Sequence, residues 1–157
     1  MQGFEKLIKL LCDNEVDFVI IGGFAAVVHG VSMLTQDMDL AMSFDENNFG
    51  NLLTALKSCH PIYRQNKRPL TKDVTSFSRF KNLYLITDFG PIDLLGEVTG
   101  IGPFSEVEKH VINIELFGNE CKVLDIDALI RSKLEMKRPK DKEAIIQLKA
   151  IKERQKK

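Results

Sequence analysis

Ile20-Ile21-Gly22-Gly23-Phe24-Ala25-Ala26, followed by Thr35-Gln36-Asp37-Met38-Asp39-Leu40, is the stretch from which the rest of the chain is read. Val16 to Ile21 is a β-branched and aromatic run, and it predicts a buried strand. Gly22-Gly23 breaks that strand. Phe24 to His29 then reads as a short helix of small and apolar residues, closed by Gly30. Thirteen residues lie between Gly23 and Asp37. Asp37 to Ser43 predicts a second strand, and alternation along it sends Asp37 and Asp39 to one face and Met38 to the other. Two neighbouring carboxylates repel unless something positive sits between them. A hard cation such as Mg2+, shared between carboxylates and substrate phosphates, answers that need. Glycine tolerates positive φ and lets the backbone approach a ligand, and the first amides of the following helix attract phosphate. Taken alone, Gly22-Gly23 suits a plain strand-to-helix turn, and the aspartate pair suits an exposed edge strand.

A third acid makes the pattern harder to explain so plainly. Asp93 is embedded in Pro91-Ile92-Asp93-Leu94-Leu95. A carboxylate on so apolar a strand is costly to bury without a cation or hydrogen bonds. Asp88 and Glu97 are rivals for this place. Asp93 is preferred because it lies within the strand rather than in a turn.

Further out, Phe4, Leu7, Ile8 and Leu11 recur at helical spacing and predict an amphipathic first helix ending near Asp13-Asn14. Glu46 to Cys59 predicts a helix capped by Asp45. Pro61 to Lys81 carries Arg64, Lys67, Arg68, Lys72, Arg79 and Lys81, and reads as strand, loop and strand. Leu83 to Thr87 and Ile92 to Leu95 are strands joined by the turn Asp88-Phe89-Gly90-Pro91. Gly96 to Pro103 reads as loop. Val111 to Leu116 and Glu120 to Leu124 flank Phe117-Gly118-Asn119 as a hairpin. Ile126 to Met136 predicts a helix, Pro139 interrupts, and a last helix starts near Lys142. The sum is one α/β (α+β) domain over residues 1–157, a short mixed sheet flanked by helices with a helical C-terminal segment.

The 157 residues are 44% hydrophobic and 28% charged, and 22 Lys+Arg balance 22 Asp+Glu. Such a balance gives no global argument for nucleic acid or membrane. The basic segment from Arg131 to Lys157 could face a polyanion, or be an ordinary solvated helix face. Cys12, Cys59 and Cys121 are widely spaced, with no metal-ligand pairing and no disulfide framework. No signal-peptide pattern opens the chain, and Phe18 to Val28 is too short to span a bilayer. The expectation is a soluble cytoplasmic protein. Ser32, Ser76 and Ser78 have no histidine–acid pattern beside them, which argues against a serine hydrolase. His29 reads as a structural histidine rather than a ligand.

The residues Ile20-Ile21-Gly22-Gly23-Phe24-Ala25-Ala26, His29-Gly30 and Thr35-Gln36-Asp37-Met38-Asp39-Leu40 together resemble the signature of the DNA polymerase β-type nucleotidyltransferase superfamily. Within it the chain looks most like the small bacterial minimal and AbiEii-like proteins. Pro91-Ile92-Asp93-Leu94-Leu95 resembles the strand of the third acid. Leu129-Ile130-Arg131-Ser132-Lys133 with Arg138-Pro139-Lys140-Asp141 is similar to the Lys…Arg-x-Lys-Asp segment of these proteins. The resemblance implies a nucleotide-binding turn at Gly22 and Gly23, with Thr35, Lys133, Arg138 and Lys140 as further nucleotide contacts. It implies Mg2+ (or Mn2+) ligands at Asp37, Asp39 and Asp93, the last also acting as base toward an acceptor hydroxyl. One departure is Met33, where relatives often carry an arginine. Asp141 reads instead as a capping or ion-paired acid.

The implied activity is metal-dependent transfer of a nucleoside monophosphate from a nucleoside triphosphate such as ATP to a hydroxyl. Phosphoryl transfer needs positioning and charge neutralisation, which these parts supply. The acceptor stays open between a protein, a tRNA and a small molecule, with a toxin–antitoxin pair as one setting. A partner protein or a second copy of the chain would complete so small a site. The rival reading is a catalytically silent nucleotide-binding or regulatory module, suggested by Met33 and opposed by the three retained acids.

Overall fold

The computed structural model of the chain describes residues 2–71 and 81–156. Lys72, Ser76, Ser78 and Arg79, and most of the second strand expected before Lys81, lie outside them. The predicted class holds: a mixed sheet with helices packed on it. In chain order the elements are α1 (Gln2–Asp13), β1 (Phe18–Ile20), α2 (Gly22–His29), β2 (Met38–Met42), α3 (Glu46–Leu56), β3 (Ile62–Tyr63), β4 (Asn82–Thr87) and β5 (Gly90–Leu95). They continue with β6 (Glu97–Val98), β7 (Gly102–Pro103), α4 (Phe104–Val107), β8 (Val111–Leu116), β9 (Asn119–Leu124), α5 (Ile126–Met136) and α6 (Lys142–Gln155).

The large sheet runs β3-β4-β5-β2-β1-β9-β8. Its centre is mixed: β2 pairs with β1 antiparallel and with β5 parallel, while β1 pairs with β9 parallel. Burial on both faces explains why β1 is apolar throughout and β2 nearly so. The hairpin β8–β9 forms around Phe117 and Gly118, both at positive φ. The core joins α1, α2, α3 and the central strands through Leu7, Ile8, Leu11, Phe24, Leu40, Phe49 and Leu52, all fully buried. Phe24 meets Phe4 edge-to-face with ring centroids 4.8 Å apart, so α1 and α2 hold each other in place. Burying a side chain of this size stabilises the fold by about 1.5–3 kcal/mol.

Three expectations need adjustment. The helix after β1 begins at Gly22 rather than Phe24, so the glycines form its first turn. The Gly96–Pro103 loop contains a two-residue ladder, β6 with β7, because the chain reverses through Gly100 at φ 81°, with the Ile101 N–H donating to the Val98 carbonyl at 3.0 Å. The helix from Glu46 stops at Leu56, and Lys57–Cys59 tightens into a 3-10 turn. Asp45 and Asp125 cap α3 and α5, accepting hydrogen bonds from the backbone N–H of Asn48 and Ala128, each at 2.8 Å.

Candidate active site

The antiparallel pairing of β1 with β2 sets Ile20 opposite Leu40. The Ile21 N–H then donates to the Asp39 carbonyl at 3.0 Å. The chain therefore turns into α2 directly beside the Asp39 side chain. Gly22 makes that turn at φ +64°, and a Cβ there would collide with the Asp39 carboxylate. Glycine is thus needed twice over, for its conformation and for the space. Ile21 provides no side-chain cap for α2. The Gly23 N–H donates to Asp39.

The parallel pairing of β2 with β5 sets Asp39 opposite Asp93. Met38 and Leu40 face the core with Ile92 and Leu94, so both carboxylates emerge on the other face of the sheet. Burial, then the charge of Asp93, then that of Asp37 push the Asp39 carboxyl from its ordinary 3.8 up to about 7. Burial also raises Asp93, against the pull of Arg64. Asp37 precedes β2 and is felt by both acids through its charge. Asp93 is ion-paired to Arg64, whose guanidinium also lies over the Tyr84 ring, 5.7 Å from its centroid.

Two cavities meet at Asp39. One, about 360 Å³, is lined by Gly23, Met33, Thr35, Asp37, Lys140 and Asp141 among others. The second, about 250 Å³, is lined by Gly22, Tyr84, Asp93, Glu97, Val98 and Met136 among others. Asp39, Lys133 and Arg138 border both, and Asp93 borders only the second. The shared wall is an ion cluster built by α5 and the turn into α6. Lys133 is 3% exposed and donates to Asp141 at 3.1 Å. Arg138 donates to both Asp141 oxygens, at 2.6 and 3.2 Å. Burial alone would raise Asp141, but hydrogen bonds from Arg138 and Lys133 hold it below the usual carboxylate range. Asp141 is therefore an ion-paired acid. It occupies the N-cap position of α6 without giving a side-chain cap.

All nine residues singled out in the sequence border one or both cavities. Gly22 and Asp93 lie on the second cavity, and Gly23, Thr35, Asp37 and Lys140 on the first. Asp39 and Asp93 are register partners on adjacent strands, while Asp37 precedes β2 and lines only the first cavity. Among the described residues, no group of three or more His, Cys, Asp or Glu is gathered tightly enough to hold a metal as it stands. The donor chemistry nonetheless suits a hard cation: two half-buried carboxylates face each other across a strand pair, with excess negative charge between them.

Of the rivals for the third place, Asp88 is taken by His60 at 2.7 Å, away from the site. Glu97 lines the second cavity from β6. His29 forms a hydrogen bond with the Leu124 carbonyl at 2.7 Å, the structural role expected of it. The three cysteines are free thiols, and burial pushes Cys121 up to about 12. In the basic C-terminal segment Lys152 pairs with Asp127, which neutralises it, and Arg131 donates to the Gly100 carbonyl at 3.2 Å. No helix among the described residues is long and apolar enough to cross a membrane. Sequence reasoning gave no role to Arg64 and Tyr84. Arg64 stood among six basic residues of one segment, and only the pairing of β4 with β5, which sets Tyr84 opposite Asp93, reveals where it points.

No family model matches the chain, and no curated protein does either. Among solved structures, the chain is similar to the lincosamide antibiotic adenylyltransferase LnuA in its lincomycin-bound form. The TM-score is 0.64 at 13% identity, over 96% of both chains. It is also similar to the antibiotic-resistance factor ANT(2'')-Ia, with a TM-score of 0.61 at 12% identity, over 96% of this chain and 80% of the other. At these identities the likeness shows that the chain shares the fold of these two proteins, and nothing beyond the fold.

Proposed function

We propose that the protein is a nucleotidyltransferase that moves a nucleoside monophosphate from a nucleoside triphosphate onto a hydroxyl. The observation that carries this reading is the placement of Asp39 opposite Asp93, at the junction of two cavities and beside the uncapped start of α2. The fold shared with an adenylyltransferase supports it.

In this reading the triphosphate occupies the larger cavity. The first-turn amides of α2, the Thr35 hydroxyl and Lys140 meet its oxygens there, and Lys133 and Arg138 reach it from the shared wall. The acceptor enters the smaller cavity, because Asp93 faces only that one. Asp93 takes the proton from the acceptor hydroxyl as its oxygen bonds to the α-phosphorus. The bond to the departing pyrophosphate breaks on the opposite side, in line. Asp37, Asp39 and Asp93 would hold the divalent cation, Mg2+ or Mn2+, which supplies charge neutralisation for the phosphates when bound. The half-buried position of Asp93 keeps bulk water from competing for the proton.

The test is incubation with labelled nucleoside triphosphates, Mg2+ and a panel of small hydroxyl compounds, RNA and protein fractions. Pyrophosphate release is read together with labelled product. Asp93→Ala should lose about 10²–10⁴-fold in rate, the usual worth of a general base. A second reading, a silent nucleotide-binding module, is favoured by one observation: Met33, not a cation, lines the triphosphate cavity. Nucleotide binding without pyrophosphate release in any fraction would decide for it.

A further inference from the structure

We propose that Arg64 is a built-in counter-ion that holds Asp93 until a divalent cation displaces it, so that the Arg64 side chain gates loading of the site. The inference rests on the reading of Asp39 and Asp93 as metal-holding acids. Its own basis is geometric. The Arg64 backbone is fixed, its N–H donating to the Tyr84 carbonyl at 3.0 Å. The turn around it is closed by the Tyr63 N–H to the Arg68 carbonyl and the Lys67 N–H to the Tyr63 carbonyl, both at 2.9 Å. Only the side chain is left to move, and about a third of it is exposed. It lies across the Tyr84 ring and ends on Asp93.

The placement is selective. Asp39 and Asp93 stand opposite each other, yet the guanidinium takes Asp93 alone. Asp39 is left to the Gly23 N–H. A cation arriving between the two acids would compete for the Asp93 carboxylate, one oxygen of which Arg64 now occupies. It would also place like charge beside the guanidinium, which repels it. The Tyr84 face gives the released guanidinium a resting place without a large backbone change. Arg64 is on this account a positioning residue. It keeps the metal-free acid pair from repelling itself apart and yields when a divalent cation arrives.

Mn2+ titration of the metal-free, nucleotide-free protein, followed by electron paramagnetic resonance of free Mn2+, tests this without reference to activity. Arg64→Gln should bind Mn2+ about three- to tenfold more tightly than wild type, the range expected for losing a part-exposed, hydrogen-bonded ion pair as competitor. Asp39→Asn should bind much more weakly than either. Equal or weaker binding by Arg64→Gln, with wild type and Asp39→Asn behaving as described, overturns the role of Arg64 and leaves the metal site standing. No Mn2+ binding by wild type or by Arg64→Gln overturns both. If Arg64→Gln does not fold, Arg64→Lys carries the same test. It keeps the charge but lacks the planar fork, and it should bind at least about twofold more tightly than wild type. Equal affinity in that variant refutes the proposal.

Discussion

Asp39→Asn removes one negative charge from the acid pair with almost no change of shape, and its effect on the metal-free protein can be worked from the structure. The folded protein holds the Asp39 carboxyl at about 7, against an ordinary 3.8. Below pH 3.8 the group is protonated whether the chain is folded or not, and it costs nothing. Between 3.8 and 7 the unfolded chain releases the proton while the folded chain keeps it, so stability falls as pH rises. Above 7 the deficit is complete, on the order of 2–4 kcal/mol, the upper figure being the unscreened conversion of the shift. The neutral asparagine has no such deficit, and its side-chain oxygen can still accept from Gly23.

For a chain of this length about 1 kcal/mol moves the melting temperature by roughly 2–4 °C. Asp39→Asn should therefore melt roughly 5–15 °C above wild type at pH 8 in EDTA, with the gap shrinking toward zero near pH 4. Differential scanning fluorimetry over a pH series measures this directly. Mn2+ should raise wild type toward the mutant, because it stabilises only the form it binds. A mutant that melts at or below wild type at pH 8, or a gap that does not change with pH, would refute the electrostatic account of the site.

Gly22→Ala should be strongly destabilised and fail to bind Mn2+, since its Cβ would strike the Asp39 carboxylate at a positive φ; a normal melting curve would contradict the turn geometry. Asp141→Asn leaves Lys133 buried beside a neutral group and should cost about 3–5 kcal/mol in denaturant titration. The depressed Asp141 carboxyl makes that contribution complete at neutral pH, to be lost only as pH falls through its folded value. Met33→Arg should tighten nucleotide affinity in equilibrium binding by bringing a planar donor to the triphosphate cavity; unchanged affinity would place the triphosphate elsewhere.

Patterns local in sequence were readable before the fold was known. The alternation that sent Asp39 away from Met38 and Leu40 is a property of one strand, and it held. So did the hairpin around Gly118, the α5 boundaries and the cap Asp45, each set by residues within a few positions. The mate of Asp39 was legible only as a carboxylate in an apolar setting, because that setting marks a strand whose charge must be answered. What could not be read was register. Nothing near Arg64 in sequence says that β3 and β4 will lay it over Tyr84 and onto Asp93. Nothing local shows that Lys133 is buried, because its partner, Asp141, lies beyond the end of its own helix.

The arrangement of Asp141 bears on why a nucleotide site would contain an acid of its own. Lys133 and Arg138 border both cavities, and either cation alone would be free to swing or, in the case of buried Lys133, to lose its proton. Held by one carboxylate, the three groups keep a net charge of +1 and a fixed set of N–H directions. Lys140, exposed and without an ion pair among the described residues, adds a second positive charge at the mouth of the larger cavity. Opposing them, Asp37, Asp39 and Asp93 gather negative charge at the junction, relieved in part by the ion pair of Asp93 with Arg64. The site is thus polarised from its C-terminal wall toward the acid pair. A triphosphate has its negative charge drawn toward the cations and its approach to the acids opposed until a divalent cation lies between them. Metal and nucleotide should bind with positive cooperativity, each removing the charge that opposes the other. Asp141→Asn, by loosening the wall, should weaken that coupling even in molecules that remain folded.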